Sequence, residues 1–337
     1  MRTLLAASAI CLLGNGVLAD DCVGNNLIRT MSATDQNWIR EQAEAVPYHK
    51  GIRWRARKGK ALIDIVGTYH MDHPMHPETV DAIRPALIAA DRLLVEMGPA
   101  EEAQLQSAIA SDPTLIMDPT GATLPERLSP EQWTEVGAAM DARGVPAVMA
   151  SRMRPWYIAT LLAFSPCELA KMTNGSGDAD GLDQMIIDEA EAAGIEINAL
   201  EPWDSVLRIF SDLTPQEEID MIVYSLPMAS YAEDYTATMQ EAYAAGDIWQ
   251  IWEFGRLDAY RNSGLPQPEV DRMLADAEAV LINDRNRKWI APLTDAANVA
   301  AVKGQGVVAA FGALHLPGND GVLRLLENEG WTIERVE

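Results

Sequence analysis

Two short apolar runs, one near each end of the chain, both stop at a glycine that is followed three residues later by a histidine. Ala61–Val66 leads into Gly67-Thr-Tyr-His70, and Val307–Phe311 leads into Gly312-Ala-Leu-His315. Apolar segments rich in β-branched residues read as buried strands, and the glycine lets the backbone turn sharply as it leaves the sheet. Each histidine is then carried at the carboxyl edge of the sheet, where open α/β folds place their ligands. The expectation is a sheet that draws strands from both ends of the chain.

The start of the chain reads differently. Met1-Arg2, the apolar stretch Leu4 to Leu18 and the small residue Ala19 have the pattern of a secretory signal peptide, with cleavage expected before Asp20. That leaves 20–337 as a single expected domain, exported to the periplasm or secreted. No later stretch runs long enough without charges to span a bilayer. Cys11 leaves with the leader, so Cys22 and Cys167 are the mature cysteines. In an oxidising compartment one disulfide between them is the default. Losing residues 1–19 removes Arg2 and no acid, which takes the charge from −24 to −25. A chain this acidic repels phosphate backbones and anionic lipid, so nucleic acid is not an expected partner.

Between the two histidine motifs the pattern is mainly helical. Ser32 is a candidate N-cap for a helix through Ala45. Ile52–Arg57 alternates and turns at Lys58-Gly59-Lys60 into the strand ending at Val66, a hairpin signal. A helix from about Pro77 to Ala90 precedes the buried strand Leu93–Met97, which ends in a carboxylate, Glu96. Ser129-Pro-Glu-Gln132 and Thr214-Pro-Gln-Glu217 are capping boxes, and Gly144 and Gly194 sit where helix C-caps are expected. Asn174–Gly181 reads as a flexible loop, and Ile195–Leu200 as a strand ending at Glu201. A long helical region from about Glu269 to Val302 leads to the strand 307–311, a helix from about 321 to 329 and a last strand, 331–336. The expected fold is mixed α/β and helix-rich, a small mixed central sheet formed from both ends of the chain with a large helical insertion.

His70, Glu96 and His315 thus stand at three strand ends. Two histidines and a carboxylate suffice as protein ligands for a catalytic divalent metal such as Mn, Co or Zn, with a position left for water. The same trio serves without metal, one imidazole as general base, the other steadying an oxyanion and the glutamate fixing a tautomer. Asp72, His73 and His76 fall in a proline-broken loop and are expected to be mostly exposed, and His49 to be a solvated loop residue. Arg285-Asn286 sits on a helix, where the guanidinium suits a substrate carboxylate or an oxyanion at the rim of the site, or else faces solvent. Trp249 and Trp252 read as core packing. The chain has no Gly-x-Ser-x-Gly elbow, no P-loop and no His-Glu-x-x-His.

An ordered set of short motifs runs through nearly all of the mature chain: Cys22-Val-Gly-Asn-Asn-Leu27, Gly67-Thr-Tyr-His70, Leu94-Val-Glu96, Arg154-Pro-Trp156, Gly181-Leu-Asp183, Leu200-Glu201, Arg285-Asn286 and Phe311–Gly318 followed by Gly321-Val-Leu. In these the chain resembles the TraB/GumN family, whose members include exported bacterial proteins and the TIKI metalloproteases that clip secreted signalling proteins. The resemblance implies that His70 and His315 are the family's two motif histidines, that Glu96 is its strand-end glutamate and that Arg285-Asn286 is its helical pair. It further implies a fold similar to that of erythromycin-esterase-like and ChaN-like proteins, and with it either hydrolysis or iron and haem binding by analogy. The expected function is an exported, metal-dependent, peptidase-like hydrolase acting on a peptide or protein. The alternatives are a non-catalytic periplasmic metal- or haem-binding protein and an accessory of envelope polysaccharide export.

Overall fold

β-Strands from both ends of the chain meet in one sheet. The computed structural model describes residues 22–174, 181–211 and 213–336, so the signal-peptide segment 1–19 and most of the loop 174–181 lie outside the described residues. The strands are β1 (Arg53–Lys58), β2 (Ala61–Thr68), β3 (Arg92–Val95), β4 (Glu196–Ala199), β5 (Val307–Gly312) and β6 (Thr332–Arg335), in the spatial order β4-β3-β5-β2-β1-β6. β1 and β2 form the expected antiparallel hairpin around Gly59, and β6 adds antiparallel to β1. β2, β5, β3 and β4 run parallel.

β5 and the Leu93–Val95 part of β3 are unbroken apolar runs because they are covered on both faces. On one face Ile63, Ile65, Ala309 and Phe311 pack with Trp289, Leu293 and Ala297 of helix Asp284–Val302. On the other, Val66, Leu93, Val95, Val308 and Ala310 meet Val80, Ile83 and Leu87 of helix His76–Ala89, and Leu182, Ile186 and Ala190 of helix Leu182–Ala193. Ser32 caps helix Ala33–Glu44 by accepting from the Asp35 N–H, and Gly194 ends helix Leu182–Ala193 at a left-handed φ of 71°.

The chain forms two compact units, and the sheet belongs to the one made of Leu27–Leu115, Asp180–Asp212 and Thr238–Glu337. The other comprises Met1–Asn26, Ile116–Ala179 and Leu213–Ala237 and is helical where described. Its core gathers Leu124, Val136, Met140, Ile158, Leu162, Ile222 and Leu226. Both expected capping boxes form there, Ser129 with Gln132 and Thr214 with Glu217. The buried Arg143 guanidinium donates to the Leu161, Leu162 and Phe164 carbonyls at the end of helix Pro155–Ala163. Cys22 and Cys167 are disulfide-bonded, with Cα atoms 5.6 Å apart and 145 positions of sequence separation.

The region from Glu269 to Val302 is helical as expected, with Gln267–Glu278 and Asp284–Val302 joined by a π-turn over Ala279–Asn283. Two expectations need correction. His76 is fully buried rather than exposed, because it opens helix His76–Ala89 with its ring 6.1 Å from that of Tyr243. His49 is half-buried, with its Nδ1 3.2 Å from the Val46 carbonyl.

Candidate functional site

Strand register decides which side chains meet. Thr68 of β2 lies opposite Gly312 of β5, and Val95 of β3 opposite Ala310, so the exits of all three strands are neighbours at the carboxyl edge. Gly312 is their meeting point. A Cβ placed on it would lie 3.2 Å from Glu96 Oε1, 3.6 Å from His315 Cδ2 and 3.7 Å from His70 Nε2. The space left by the missing side chain is the centre around which both histidines and the glutamate are arranged.

Each histidine has its outer nitrogen fixed by an oxygen. His70 Nδ1 lies 3.0 Å from Asp183 Oδ1, in the first turn of helix Leu182–Ala193, whose Leu182 N–H donates to the Tyr69 carbonyl. His315 Nδ1 lies 2.6 Å from Asn286 Oδ1. Asn286 Nδ2 donates to the carbonyls of His315 and Asp320, so its Oδ1 is the acceptor and His315 carries its proton on Nδ1. His315 Nε2 is therefore the acceptor nitrogen of the ring, with Arg285 Nη1 3.2 Å away. Asn286 itself is fully buried.

Arg285 organises the carboxylates. Its Nη2 donates to Glu96 Oε2 at 2.5 Å, and its Nε and Nη2 grip Glu201 at 2.6 and 3.1 Å. Its Nη1 donates to the Leu281 carbonyl of the π-turn and lies 3.2 Å from His315 Nε2. The guanidinium packs over Trp289, 5.1 Å from the ring centroid, while Trp289 Nε1 donates to Glu201 and its ring lies 4.4 Å from that of His315. Arg285 is thus at the centre of the site and not on its rim, and its side chain is only 18 % exposed.

The electrostatics follow from these contacts. Burial works against ionisation of Glu96, yet its carboxyl is pulled down to about 2 by the surrounding positive groups and the Gly312 N–H, which donates to Oε1 at 2.6 Å. Burial lowers His315 to about 4, with Arg285 adding to the effect and Glu96 opposing it. His315 is consequently neutral at pH 7, and at that pH the charge holding Glu96 ionised comes from Arg285 and His70. His70 moves the other way, to about 9, because the hydrogen bond and charge of Asp183 outweigh burial. Its side chain is 58 % exposed, so water screens that pair and the direction is what the chemistry uses. The two imidazoles are driven apart in basicity by their surroundings.

Nitrogen, oxygen and nitrogen donors converging on Gly312 match the donor types of a borderline divalent ion, and imidazoles steadied through their second nitrogen are the usual supports of such ligands. The three ligand atoms are not all within 4.8 Å of one another, a spacing that among the described residues only Cys22, Cys167 and Glu233 meet, with both sulfurs already in the disulfide. Glu96 Oε1 and His315 Nε2 are 3.9 Å apart. His73 and His76 stand apart from this group, in an aromatic cluster with Tyr243. Trp249 and Trp252 stack on each other, Trp249 buried, as core packing does. Glu201, Asp183 and Trp289 join the site without having been singled out for it. The signal for the first two was present, since Leu200-Glu201 and Gly181-Leu-Asp183 are among the ordered motifs.

The unit is of the mixed α/β class, with two histidines and a glutamate brought together where three neighbouring parallel strands end. The chain belongs to the TraB/PrgY/gumN family, whose sequence model matches residues 52–335. No curated protein and no solved structure matches it.

Proposed function

We propose that this protein is an exported, peptidase-like hydrolase whose centre is His70, Glu96 and His315, with Arg285 and Asn286 as its organising pair. The observation that carries the reading is the convergence of His70 Nε2, Glu96 Oε1 and the His315 ring on the space left by Gly312, at the exits of three adjacent parallel strands. His70, Glu96 and His315 would hold a divalent metal there, and such an ion supplies an acidified water and a polarised carbonyl. The chain's own groups have separable tasks. Asn286 holds the His315 proton on Nδ1, leaving Nε2 as the acceptor nitrogen beside Arg285 Nη1, and Asp183 orients the His70 ring through its Nδ1. Arg285 keeps Glu96 ionised and aimed at Gly312, while Glu201 and Trp289 hold Arg285 in place. The disulfide in the helical unit agrees with an oxidising compartment, and no helix among the described residues is long and apolar enough to cross a membrane.

Metal analysis of the purified protein, followed by a peptide-library cleavage assay with and without chelator, tests this. Bound metal with chelator-sensitive cleavage is the expected result. Cleavage indifferent to chelator and to added Mn, Co or Zn would retain the hydrolase and assign it to His315 as general base. Tight metal or haem uptake with no turnover would replace it with a binding protein.

A further inference from the structure

Cys22, Cys167 and Glu233 bring two sulfurs and a carboxylate together in the helical unit, within 4.8 Å of one another. The disulfide is not all that gathers them. Gly24 lies so close to helix Ala232–Ala244 that a Cβ on it would come within 2.1 Å of the Glu233 carbonyl oxygen. The Asn25 N–H donates to Asp234 Oδ1 at 2.7 Å, and Asn25 Nδ2 donates to the same oxygen at 3.3 Å. Cys22 is therefore held beside the first turn of that helix by main-chain packing and hydrogen bonds. Cys167 is held separately. It stands in the first turn of helix Pro166–Asn174, whose Leu169 packs in the core of the unit, and its N–H donates to Glu233 Oε1 at 3.0 Å.

Negative charge here exceeds what the surroundings pair. Glu233 Oε2 and Glu168 Oε1 are buried with no hydrogen-bond partner among the described residues, and Glu168, next to Cys167, is only 7 % exposed. Arg143 feels the charge of Glu233, yet its donors go to the Ala139, Leu161, Leu162 and Phe164 carbonyls. Burial raises the Glu168 carboxyl, and the charge of Glu233 adds to that effect. Buried carboxylates are ordinarily paired with a cation or bound to a metal ion. Reduction would add two stronger ligands. A dithiol gives up two electrons and two protons in closing to its own disulfide, and Cys22 and Cys167 each become a thiol. A divalent ion then displaces both thiol protons and gains two thiolate ligands. Two sulfurs on one tetrahedral zinc lie about 3.8 Å apart, which the 5.6 Å between the Cα atoms accommodates.

We propose that Cys22, Cys167 and Glu233 form a redox-gated site for a thiophilic divalent cation of the zinc class, closed while the disulfide is intact and opened when a dithiol reduces it. Glu233 supplies Oε2, because Oε1 already accepts from the Cys167 N–H, which fixes how the carboxylate points. Water takes the fourth position. The site lies wholly within the helical unit and contains no histidine, so it does not depend on the hydrolase reading.

Titration of the full chain with Co²⁺, before and after reduction by a water-soluble phosphine that is then removed, tests the proposal. The reduced chain is expected to show thiolate-to-cobalt charge-transfer absorption and the oxidised chain none. Cobalt at His70, Glu96 and His315 has no sulfur ligand and would lack that band. Glu233→Gln keeps both thiols and an acceptor for the Cys167 N–H, and should weaken the cobalt that carries the band at least about tenfold. The same titration in urea separates a built site from two loose thiols, and the reduced chain in water should bind at least about tenfold more tightly. If reduction unfolds the helical unit, Co²⁺ should restore its far-ultraviolet circular dichroism, because binding is then coupled to folding. A reduced chain without the band, equal affinity in wild type and Glu233→Gln, equal affinity in water and urea, or a reduced chain left unfolded at saturating Co²⁺ would each overturn the assignment.

Discussion

Arg285 touches five groups, and losing either carboxylate among them leaves a buried charge under-paired. Glu201 is the partner that holds it by two hydrogen bonds while standing outside the Gly312 pocket. Glu201→Ala should cost about 2–4 kcal/mol, toward the lower end of what breaking a buried pair costs because Glu96 remains as a partner. Glu201→Gln, which keeps an acceptor for Trp289, should recover part of that loss in urea unfolding. The two histidines should separate stability from function. His70 is mostly exposed, so His70→Ala should abolish activity while shifting the melting temperature by no more than a few degrees. The His315 ring is 7 % exposed beside Trp289, so His315→Ala should abolish activity and also cost about 2–4 kcal/mol, through a cavity and a stranded Asn286 oxygen. Equal stability of the two variants would contradict this account of their burial. At this scale the sequence singled out the candidate residues but not their partners: Asp183 lies 113 positions from His70, and Glu201 lies 84 from Arg285.

Helix and strand boundaries were legible where local hydrogen bonding sets them. The Ser129 and Thr214 boxes, the Ser32 cap and the Gly194 stop are satisfied by groups within a few residues, so nothing distant was needed to read them. The π-turn at Ala279–Asn283 was not legible, because a π-turn keeps the composition of an α-helix and changes only its phase. It is also what presents the Leu281 carbonyl to Arg285. Helix Ile248–Asn262 carries a further test. Its buried Glu253 is held above the usual carboxylate range by desolvation, which the nearby Arg256 only partly offsets. A raised value in the folded state means that the folded chain binds this proton more tightly than the unfolded one. Glu253 therefore withdraws stability as pH rises through the ordinary carboxylate range toward its raised value. Glu253→Gln does not titrate, so its melting temperature minus that of the wild type should grow as pH rises from about 4, the ordinary carboxylate range, toward the raised value. A difference that shrinks over that range would show the carboxylate to be stabilised by its surroundings.

At the scale of the whole molecule, one covalent link spans 145 positions within the helical unit. In the chain-entropy model, closing a loop of that length is worth about 5 kcal/mol. Reduction, or paired Cys22→Ser and Cys167→Ser, should lower the unfolding free energy by an amount of that order, and peptide mapping of unreduced protein should join the two cysteines. A loss below about 1 kcal/mol would place the stability of that unit in its packed core instead.

The sequence alone determined the mixed α/β class, the two strand–Gly-x-x-His turns, the strand-end Glu96, the helical Arg285-Asn286 pair and the cysteine pairing. Each of these rests on short-range periodicity, on turn chemistry, on an ordered set of local motifs or on simple counting. Tertiary structure alone decided that β5 lies between β2 and β3, that His70, Glu96 and His315 converge on Gly312, and that Arg285 sits among them with Glu201 behind it. It also decided that His76 is core. These are contacts between segments far apart in the chain. They follow from which apolar faces pack together once the sheet assembles, and no local pattern of residues encodes that choice by itself.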